Sequence, residues 1–511
     1  MQKTLTTLTE NWAPSSLSQK VFLAQQVRQH EKAAATASGY QMYALMQRAG
    51  QGVFRHLKVI FPYVHNLLVV VGAGNNAGDG YVVATLAKFF GWQVTVAALD
   101  PDKPLHGDAY TAQQTWLSEG GEVIPWRDAD FSIYDVVVDG IFGTGLNGPV
   151  RGDALDLVHA INASSLPILS IDVPSGLNSD TGAPLGACVN ADCTVTVVAQ
   201  KAGLLTGQGK SYCGKLIYDD LDIADAFNAI ATPHAYLVNY AHLPTLNKRE
   251  ANAHKGHFGR LLTLGANTGM PGSLRLTSEA ALRTGAALVR AYCHSDSRLP
   301  ISMGRPELML ASDQLSIHLD WSSCIAIGPG LGTDEWAVSL FNEVMSHLHS
   351  TQKPCVIDAD GLNMLADSSA SHQSALSKEY SVMTPHPGEA ARLLGCSVTE
   401  IEQDRLKAAQ SLANKYNAIA VLKGAGSIIS NGEQSWICTD GNPGMATAGM
   451  GDTLTGIIAG LLAQKMTATQ AALYGVCLHA NAADNVAHQY GQRGMLASDL
   501  FEPLRVLVNP T

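Results

Sequence analysis

The stretch VGAGNNAGDG (residues 71–80) ends one of the most apolar runs in the chain. Its Gly-x-Gly-x-x-Ala spacing fits the phosphate-binding turn of dinucleotide-binding folds, and Asp100 ends the next apolar run about twenty residues further on. That turn does not require the polar side chains of Asn75, Asn76 and Asp79. The stretch therefore predicts a strand, a glycine turn and a helix that bind a nucleotide, and leaves open whether that nucleotide carries hydride.

Length and charge limit the functions open to the chain. A chain of 511 residues with 46% hydrophobic and 15% charged residues is expected to form two or three compact domains. The net charge of −11 and the lack of a basic patch with interleaved aromatic residues argue against a nucleic-acid partner. An anionic small molecule is still compatible, because backbone N–H groups at helix starts bind phosphate without net positive charge.

The cysteines and the N-terminal segment indicate a cellular compartment. Nine cysteines are scattered along the chain without CxxC pairs or Cys/His metal spacing, which predicts reduced, buried thiols. The segment MQKTLTTLTENWAPSS (1–16) lacks the apolar core of a signal peptide, and no stretch is long enough to span a bilayer. We expect a cytoplasmic protein with no membrane partner.

Short apolar runs alternate with helical stretches in the first half of the chain. Because most of these runs are continuously apolar up to a Gly, Asp or Pro, they predict strands covered on both faces of a parallel, doubly wound sheet. A helix is expected at residues 80–91. The predicted strands are 67–72, 94–100, 134–143, 167–176, 194–199 and 215–223.

A second alternating series follows a stretch of mixed polarity at residues 225–258, where we place a domain boundary. We expect one domain over residues 1–225 and another over 235–511. Two long helices, 452–464 and 468–490, are expected to close the second domain. Its predicted strands are 260–266, 286–293, 324–330, 354–361, 380–388, 418–424 and 434–441.

Three predicted strands of the first half end in polar, glycine-rich segments, where ligands of parallel sheets bind. These segments are 74–80, 139–149 and 171–176. Asp139 and Asp172 end buried strands, where a carboxylate is costly unless it binds something. The alternatives are structural: an Asx-rich turn that caps the helix after residue 74, a plain long turn at 143–148, and helix caps at the two aspartates.

The second half carries a stronger signal for phosphate chemistry. The segment GNPGMATAGMGDTLTG (441–456) places a glycine-rich turn before an apolar helix, and such a turn stabilises a transferring phosphoryl group. Asp452 at the helix start is placed to accept a proton, or simply to cap the helix. Lys423 in a second glycine turn suits nucleotide phosphates, and His386 follows another strand. The segment HKGHFG (254–259) is a phosphate loop or a basic linker end.

In this order, the motifs resemble those of the bifunctional NAD(P)H-hydrate repair enzymes over nearly the whole chain. They are GNNAGDG, DGIFGTGL, IDVPSG, HKGxxG, GPGLG (328–332), DADGLN (358–363), TPHPGE and NPGMATAGMGD. The first half resembles the NAD(P)H-hydrate epimerase family, and the second the ADP/ATP-dependent NAD(P)H-hydrate dehydratase family. The resemblance implies an α/β fold of two three-layer αβα domains, Rossmann-like at the N-terminus and ribokinase-like at the C-terminus.

The resemblance also implies the substrates and cofactors. NADHX and NADPHX, which form when water adds to the nicotinamide ring, would be epimerised between R and S forms at C6 by the first domain. The second domain would dehydrate the S form with ADP or ATP. A potassium ion in the epimerase domain, magnesium with the nucleotide and a homo-oligomeric state are expected.

In the first half, the resemblance assigns two loops to the substrate and three side chains to potassium. Asp172 matches the family's substrate-contacting aspartate, and Ala77 replaces a glycine that the family commonly has. The substrate-binding positions are Asn75, Asn76, Ala77, Gly78, Asp79, Gly143, Thr144, Gly145, Leu146, Asn147, Gly148, Pro149 and Asp172. The potassium ligands are Asn76, Asp139 and Ser175.

In the second half, the resemblance assigns one set of positions to the hydrate and another to the nucleotide. The hydrate-contacting positions are Ala287, Gly330, His386 and Asp452. The nucleotide-binding positions are Lys423, Gly424, Ala425, Gly426, Ser427 and Gly451.

This chemistry requires few groups. Phosphorylation of the C6 hydroxyl, with Asp452 as the base, would turn a poor leaving group into a good one, and phosphate loss would restore the dihydropyridine. Epimerisation requires reversible loss of the C6–O bond, with an acid/base such as Asp172. The alternatives are a ribokinase-like small-molecule (vitamin) kinase fused to a nucleotide-binding module, a first domain that only binds partners, and a hydride-transferring oxidoreductase.

Overall fold

The computed structural model describes residues 19–312, 314–368 and 370–509. The chain divides into two compact units whose boundary lies between Tyr236 and Leu237, inside the mixed-polarity stretch 225–258. In the described part of the chain, every helix is too short or too polar to traverse a lipid bilayer. Each unit is built on a mainly parallel sheet with helices on both faces.

The strands of the first unit are short and mostly buried. They are β1 (Lys20–Phe22), β2 (Asn66–Val71), β3 (Gln93–Ala98), β4 (Val123–Pro125), β5 (Val136–Gly140), β6 (Ile168–Ile171), β7 (Cys193–Val197), β8 (Gln200–Lys201) and β9 (Lys215–Asp219). Strand β10 (Ala235–Val238) spans the boundary between the units. The helices are α1 (Ala24–Ala37), α2 (Met42–Ile60), α3 (Asn75–Phe89), α4 (Gly107–Ser118), α5 (Asp153–Ala163), α6 (Gly209–Cys213) and α7 (Ala224–Ile230).

The main sheet of the first unit is parallel throughout and has the order β4-β3-β2-β5-β6-β7-β9. The chain runs outward from β2 through β3 to β4, then returns to the other side of β2 and continues outward from β5. The direction of winding therefore reverses between β2 and β5, which is where doubly wound sheets bind ligands. The doubly wound fold and the six strands predicted for this half are confirmed; the three-residue β4 was not predicted.

Strand β2 shows why these runs are apolar at every position. Leu67, Val69 and Val71 pack into the core layer that contains α2, α3 and α4, whereas Leu68 and Val70 pack into the layer that contains α5. Successive side chains of a strand point to opposite faces, so a strand covered on both faces has no position for a solvated polar residue. A polar side chain inside such a strand must be hydrogen-bonded, as that of Thr194 in β7 is to the carbonyl oxygen of Cys213 at 2.8 Å.

The strands of the second unit are β11 (Arg260–Gly265), β12 (Leu288–Cys293), β13 (Met309–Leu310), β14 (Cys324–Ile327), β15 (Cys355–Ile357), β16 (Ser381–Met383), β17 (Ile419–Leu422), β18 (Ile428–Ser430) and β19 (Ser435–Cys438). Its helices are α8 (Pro271–Thr284), α9 (Arg298–Ser302), α10 (Leu315–Trp321), α11 (Glu335–Thr351), α12 (Ala359–Ala366), α13 (Ala370–Gln373), α14 (Pro387–Leu394), α15 (Val398–Gln403), α16 (Arg405–Tyr416), α17 (Met450–Ala463), α18 (Ala468–Tyr490) and α19 (Phe501–Leu507).

These strands lie in the order β13-β12-β11-β14-β15-β16-β17-β18-β19, parallel as far as β17 and antiparallel beyond it. The seven strands and two long helices predicted for this half are confirmed. The antiparallel strand β18 was not predicted, because its residues follow the glycine turn at 423–427 so closely that the whole segment had the pattern of a loop.

Helix α17 carries the glycine-rich segment into the core. It is buried from Thr453 to Ala463 and crosses α8 so closely that a Cβ on Gly456 would lie 2.1 Å from the carbonyl oxygen of Thr277. This contact fixes the helix, and so fixes Gly451 and Asp452 at its first turn.

Candidate active sites

The first loop of interest forms the start of α3. This helix begins at Asn75, and its N-cap is Gly74, with no side-chain cap hydrogen bond, so the asparagines do not cap the helix. Asn76 is buried, and its Nδ2 donates to the carbonyl oxygen of Phe142 at 3.0 Å. The structure therefore joins the segment after β2 to the segment after β5.

The loop from Gly143 to Pro149 begins at the same place. A Cβ on Gly143 would lie 3.4 Å from the Cβ of Asn76, so the backbone of this loop passes directly beside the asparagine. The carbonyl oxygen of Thr144 accepts a hydrogen bond from Arg28 at 2.8 Å. The two predicted substrate loops thus lie side by side at the carboxyl edge of the sheet.

A fully buried carboxylate lies beneath these loops. Asp139 accepts hydrogen bonds from the backbone N–H of Ser175 (2.8 Å), its hydroxyl (2.5 Å) and the hydroxyl of Ser170 (2.8 Å). Ser175 Oγ also lies 3.2 Å from the carbonyl oxygen of Phe142. Burial raises the pKa of Asp139, and these hydrogen bonds oppose the effect. Asn76, Asp139 and Ser175, the three predicted potassium ligands, therefore meet around one carbonyl group.

Asp172 follows β6 in a left-handed backbone conformation (φ 65°), which is unusual for a residue other than glycine. Its carboxylate accepts hydrogen bonds from Thr196 Oγ1 at 3.1 Å and from the backbone N–H of Val197 at 3.2 Å. It also forms an ion pair with Lys201, whose side chain is 1% exposed. Lys201 Nζ donates to the carbonyl oxygen of Val197 at 2.6 Å. Contacts with β7 and with Lys201 in β8 thus fix the position of the Asp172 carboxylate.

Lys201 was not predicted as a site residue. Its only sequence signal is a lysine placed two residues after the apolar run TVTVVA, a position that equally suits a surface residue. Asp79 and Glu31 lie near the Lys201–Asp172 pair. Burial raises the pKa of Asp79 well above its usual range, the carboxylates of Asp172 and Glu31 raise it further, and Lys201 opposes them.

In the second unit, Lys423 lies at the centre of a group of carboxylates. Its Nζ is 2.8 Å from Asp358 Oδ1 and 3.7 Å from Glu389 Oε2, and Asp358 Oδ2 accepts from the Thr455 hydroxyl at 2.7 Å. Burial lowers the pKa of Lys423, but the two carboxylates outweigh it and raise that pKa. Lys423 is therefore charged. Asp358 begins the motif DADGLN and Glu389 ends the motif TPHPGE, but neither residue was predicted as part of the site.

A buried arginine contacts the glycine turn that follows β17. Arg405 donates to the carbonyl oxygen of Lys423 at 3.1 Å, and a Cβ on Gly424 would lie 2.6 Å from its guanidinium. Gly424 and Gly426 have φ of 146° and 64°, and Ser427 Oγ donates to the carbonyl oxygen of Gly424 at 3.1 Å. The predicted nucleotide loop from Lys423 through Ala425 to Ser427 is thus held in one conformation.

Asp452 lies in the first turn of α17, beside that loop. A Cβ on the preceding Gly451 would lie 3.3 Å from Lys423 Nζ, so the start of the helix lies close to the lysine. Burial and the carboxylate of Asp358 raise the pKa of Asp452 to about 6, opposed by a hydrogen bond from Ser273 and the charge of Lys423. A carboxylate with this pKa can accept a proton at neutral pH more readily than an ordinary one. Ser273 was not predicted.

His386 is the N-cap of α14, and its Nδ1 accepts a hydrogen bond from the N–H of Gly388 at 3.0 Å. This leaves the proton on Nε2, which lies 3.3 Å from Glu389 Oε1. Burial raises the pKa of Glu389 to about 6. The ring therefore caps the helix, and about half of the side chain stays exposed.

The remaining predicted positions separate into two places. Gly330 follows β14 with φ 61°, at the carboxyl edge with His386 and Lys423. Ala287 instead precedes β12, at the amino edge of the sheet, where its N–H contacts the carbonyl oxygen of Phe258 at 3.4 Å. The segment HKGHFG lies at that amino edge too, because it directly precedes β11. The structure does not bring Ala287 or this segment to the site.

Both parts of the chain match models of known families. Residues 42–203 match the family described as YjeF-related protein N-terminus, and residues 261–505 match the family described as NAD(P)H-hydrate dehydratase.

Similar proteins include the bifunctional NAD(P)H-hydrate repair enzymes Nnr of Escherichia coli (strain K12), 42% identical over 97% of this chain and 95% of that protein, and of Coxiella burnetii, 42% identical over 95% and 98%. The bifunctional enzyme of Leishmania infantum is 37% identical over 96% of this chain and 94% of its own. A solved ADP/ATP-dependent NAD(P)H-hydrate dehydratase from Bacillus subtilis, co-crystallised with ATP/Mg2+, is 29% identical over 52% of this chain and 93% of its own, with a TM-score of 0.44.

Matches over nearly the full length of both partners cover the two units together. The chain therefore belongs to the family of bifunctional NAD(P)H-hydrate repair enzymes, with an epimerase domain followed by an ADP/ATP-dependent dehydratase domain.

Proposed function

We propose that Asp172 is the acid/base of hydrate epimerisation and that Lys201 positions it. The observation that supports this assignment is the buried ion pair at the carboxyl ends of β6 and β7. The C6 hydroxyl would leave as water after it accepts the proton that the Lys201–Asp172 pair shares, with the ring nitrogen supplying the electron pair. Water would then return to either face of C6 and give the proton back to the pair. Asp79, whose pKa is raised by burial, lies within the same group of charges.

The substitutions Asp172→Asn and Lys201→Met test this assignment. With purified R hydrate and an excess of ADP, we expect the rate of R consumption to fall by about 100-fold or more in Asp172→Asn, because the group that transfers the proton is lost. Lys201→Met is expected to lower the same rate, since it releases Asp172. Chromatographic separation of the epimers measures both.

Dehydration of the S hydrate by the same variants is the internal control, and Lys32→Met, on the exposed face of α1, is the matched lysine control. If Asp172→Asn consumes the R hydrate as fast as the unaltered protein, the assignment of Asp172 is wrong.

A potassium ion is proposed at Asn76, Asp139 and Ser175, with the carbonyl oxygen of Phe142 as a further ligand. The donor set fits, because an amide, a hydroxyl, a carbonyl and a carboxylate offer the oxygen ligands that hard cations take. A bound cation also favours the charged form of Asp139, which burial otherwise disfavours. The ion would supply positive charge that holds the two substrate loops together.

Replacing potassium with tetramethylammonium in the buffer is expected to slow R consumption while S dehydration continues. Added potassium chloride is also expected to raise the melting temperature of the first unit in the unaltered protein but not in Asp139→Asn, compared at matched ionic strength. Equal melting temperatures and equal R consumption in the two salts would contradict a potassium site.

In the dehydratase domain, we propose that Asp452 removes the proton of the C6 hydroxyl as that oxygen attacks the terminal phosphoryl group of ADP or ATP. The nucleotide phosphates would lie against Lys423 and the turn Gly424–Ser427, and the amides at Gly451 would face the developing negative charge. Asp360, whose charge acts on both Glu389 and Asp452, accepts a hydrogen bond from the N–H of Gly332 at 2.8 Å. The carboxylates of Asp360 and Glu389 would be suited to hold the magnesium that accompanies the nucleotide. Loss of the phosphate from C6, helped by the ring nitrogen, followed by loss of a proton from C5, would then regenerate the dihydropyridine.

The pH dependence of dehydration tests the role of Asp452. A base acts only when deprotonated, so kcat/KM for the S hydrate is expected to be constant above the pKa of about 6 and to fall as the pH drops through it. Asp452→Asn is expected to lower kcat by about 100-fold to 10000-fold. The control Glu433→Gln changes an exposed carboxylate of the same unit. A normal rate in Asp452→Asn would exclude Asp452 as the base.

A further inference from the structure

The first unit contains a cavity that none of the predicted substrate positions lines. It lies at the carboxyl ends of β2, β3 and β4, has a volume of about 530 Å³, and is bounded by Gly72, Phe142 and Pro125 among others. A volume of this size is typical of small-molecule sites. The cavity borders the proposed epimerase site, because Phe142 lines it and the carbonyl oxygen of Phe142 accepts a hydrogen bond from Asn76.

The walls of the cavity suit a nucleoside. Leu99, Pro101 and Pro125 supply an apolar side against which a purine base can lie. Asp100 follows β3 at the position where carboxylates of dinucleotide-binding folds accept hydrogen bonds from ribose hydroxyls. Its carbonyl oxygen accepts from the N–H of Lys103 at 3.2 Å, so a tight turn brings the lysine to the same cavity.

The cationic side chains at the rim are not equivalent. Arg127 is compensated by ion pairs with Asp153 and Asp156. Lys103 and Arg151 also line the cavity, and within the described residues neither forms an ion pair. Two uncompensated cations beside an apolar wall and a carboxylate match a ligand that joins a base, a ribose and phosphate.

The position of the cavity agrees with the length of a dinucleotide. Asp172 follows β6, and the cavity lies beyond β3, three strand spacings away in the order β3-β2-β5-β6. At the usual spacing this is about 14 Å, which a dinucleotide spans in an extended conformation. The reversal of winding between β2 and β5 lies at the middle of this span, where the pyrophosphate of a bound dinucleotide is expected.

We propose that this cavity binds the adenosine half of the hydrate, with Asp100 on its ribose and Lys103 and Arg151 on its phosphates. The proposal rests on the epimerase function of the first unit. It assigns the two ends of the substrate to opposite sides of the switch point, with the damaged nicotinamide ring at Asp172.

A truncated substrate tests the proposal. The R hydrates of NADPH, NADH and reduced nicotinamide mononucleotide are compared for the full-length protein, Lys103→Gln, Arg151→Gln and the double variant, with Lys32→Gln as control. We expect the double variant to lose about tenfold or more in kcat/KM for both dinucleotide hydrates, because charge-assisted contacts to phosphate are lost. The mononucleotide hydrate, which lacks the adenosine half, is expected to react as in the unaltered protein.

The three substrates also identify the phosphate. A larger loss for the NADPH hydrate places the cations on the 2′-phosphate, and an equal loss for both dinucleotides places them on the pyrophosphate. An unchanged rate on the dinucleotides, or an equal loss on the mononucleotide hydrate, would overturn the proposal. If the unaltered protein consumes no R hydrate at all, the epimerase function itself fails.

Discussion

The parallel strands of both units are covered on both faces, so an unpaired polar side chain has no place along them. The side chains of both candidate sites lie at strand ends, and the parallel arrangement brings those ends to one edge. In the first unit this edge collects Asn76, Asp139 and Asp172 from three different strands or their loops. In the second it collects Asp358, His386 and Lys423.

The two lysines that are buried at these edges are each paired with a carboxylate. Lys201 is almost inaccessible, and without the carboxylate of Asp172 its charge would be costly to bury. Lys423 depends on Asp358 in the same way. Each pair presents one carboxylate or ammonium group in a fixed position, which is what a proton-transfer or phosphoryl-transfer site requires. Both proposed active sites thus contain a buried lysine–aspartate ion pair.

Much of the fold was predictable because its signals are local. Continuous apolar runs bounded by Gly, Asp or Pro identified the strands, and the glycine-rich segments marked where they end. Lys201 and Ser273 were not predictable, since only tertiary packing brings them to Asp172 and Asp452. Ala287 was assigned to the hydrate by the family resemblance, but the structure places it at the amino edge of the sheet. Which edge a residue lies at depends on whether it precedes or follows its strand, and Ala287 precedes β12. The homo-oligomeric state and the cytoplasmic location stay predictions.

The most direct test of hydrate repair supplies the purified R and S hydrates of NADH separately to the full-length protein, with ADP or ATP. The near-ultraviolet absorbance of NADH and the release of phosphate are followed together. Both epimers are expected to return to NADH, with one phosphate released for each molecule repaired and the R form passing first through the S form. No recovery from either epimer, or a phosphorylated hydrate that accumulates as the final product, would contradict it.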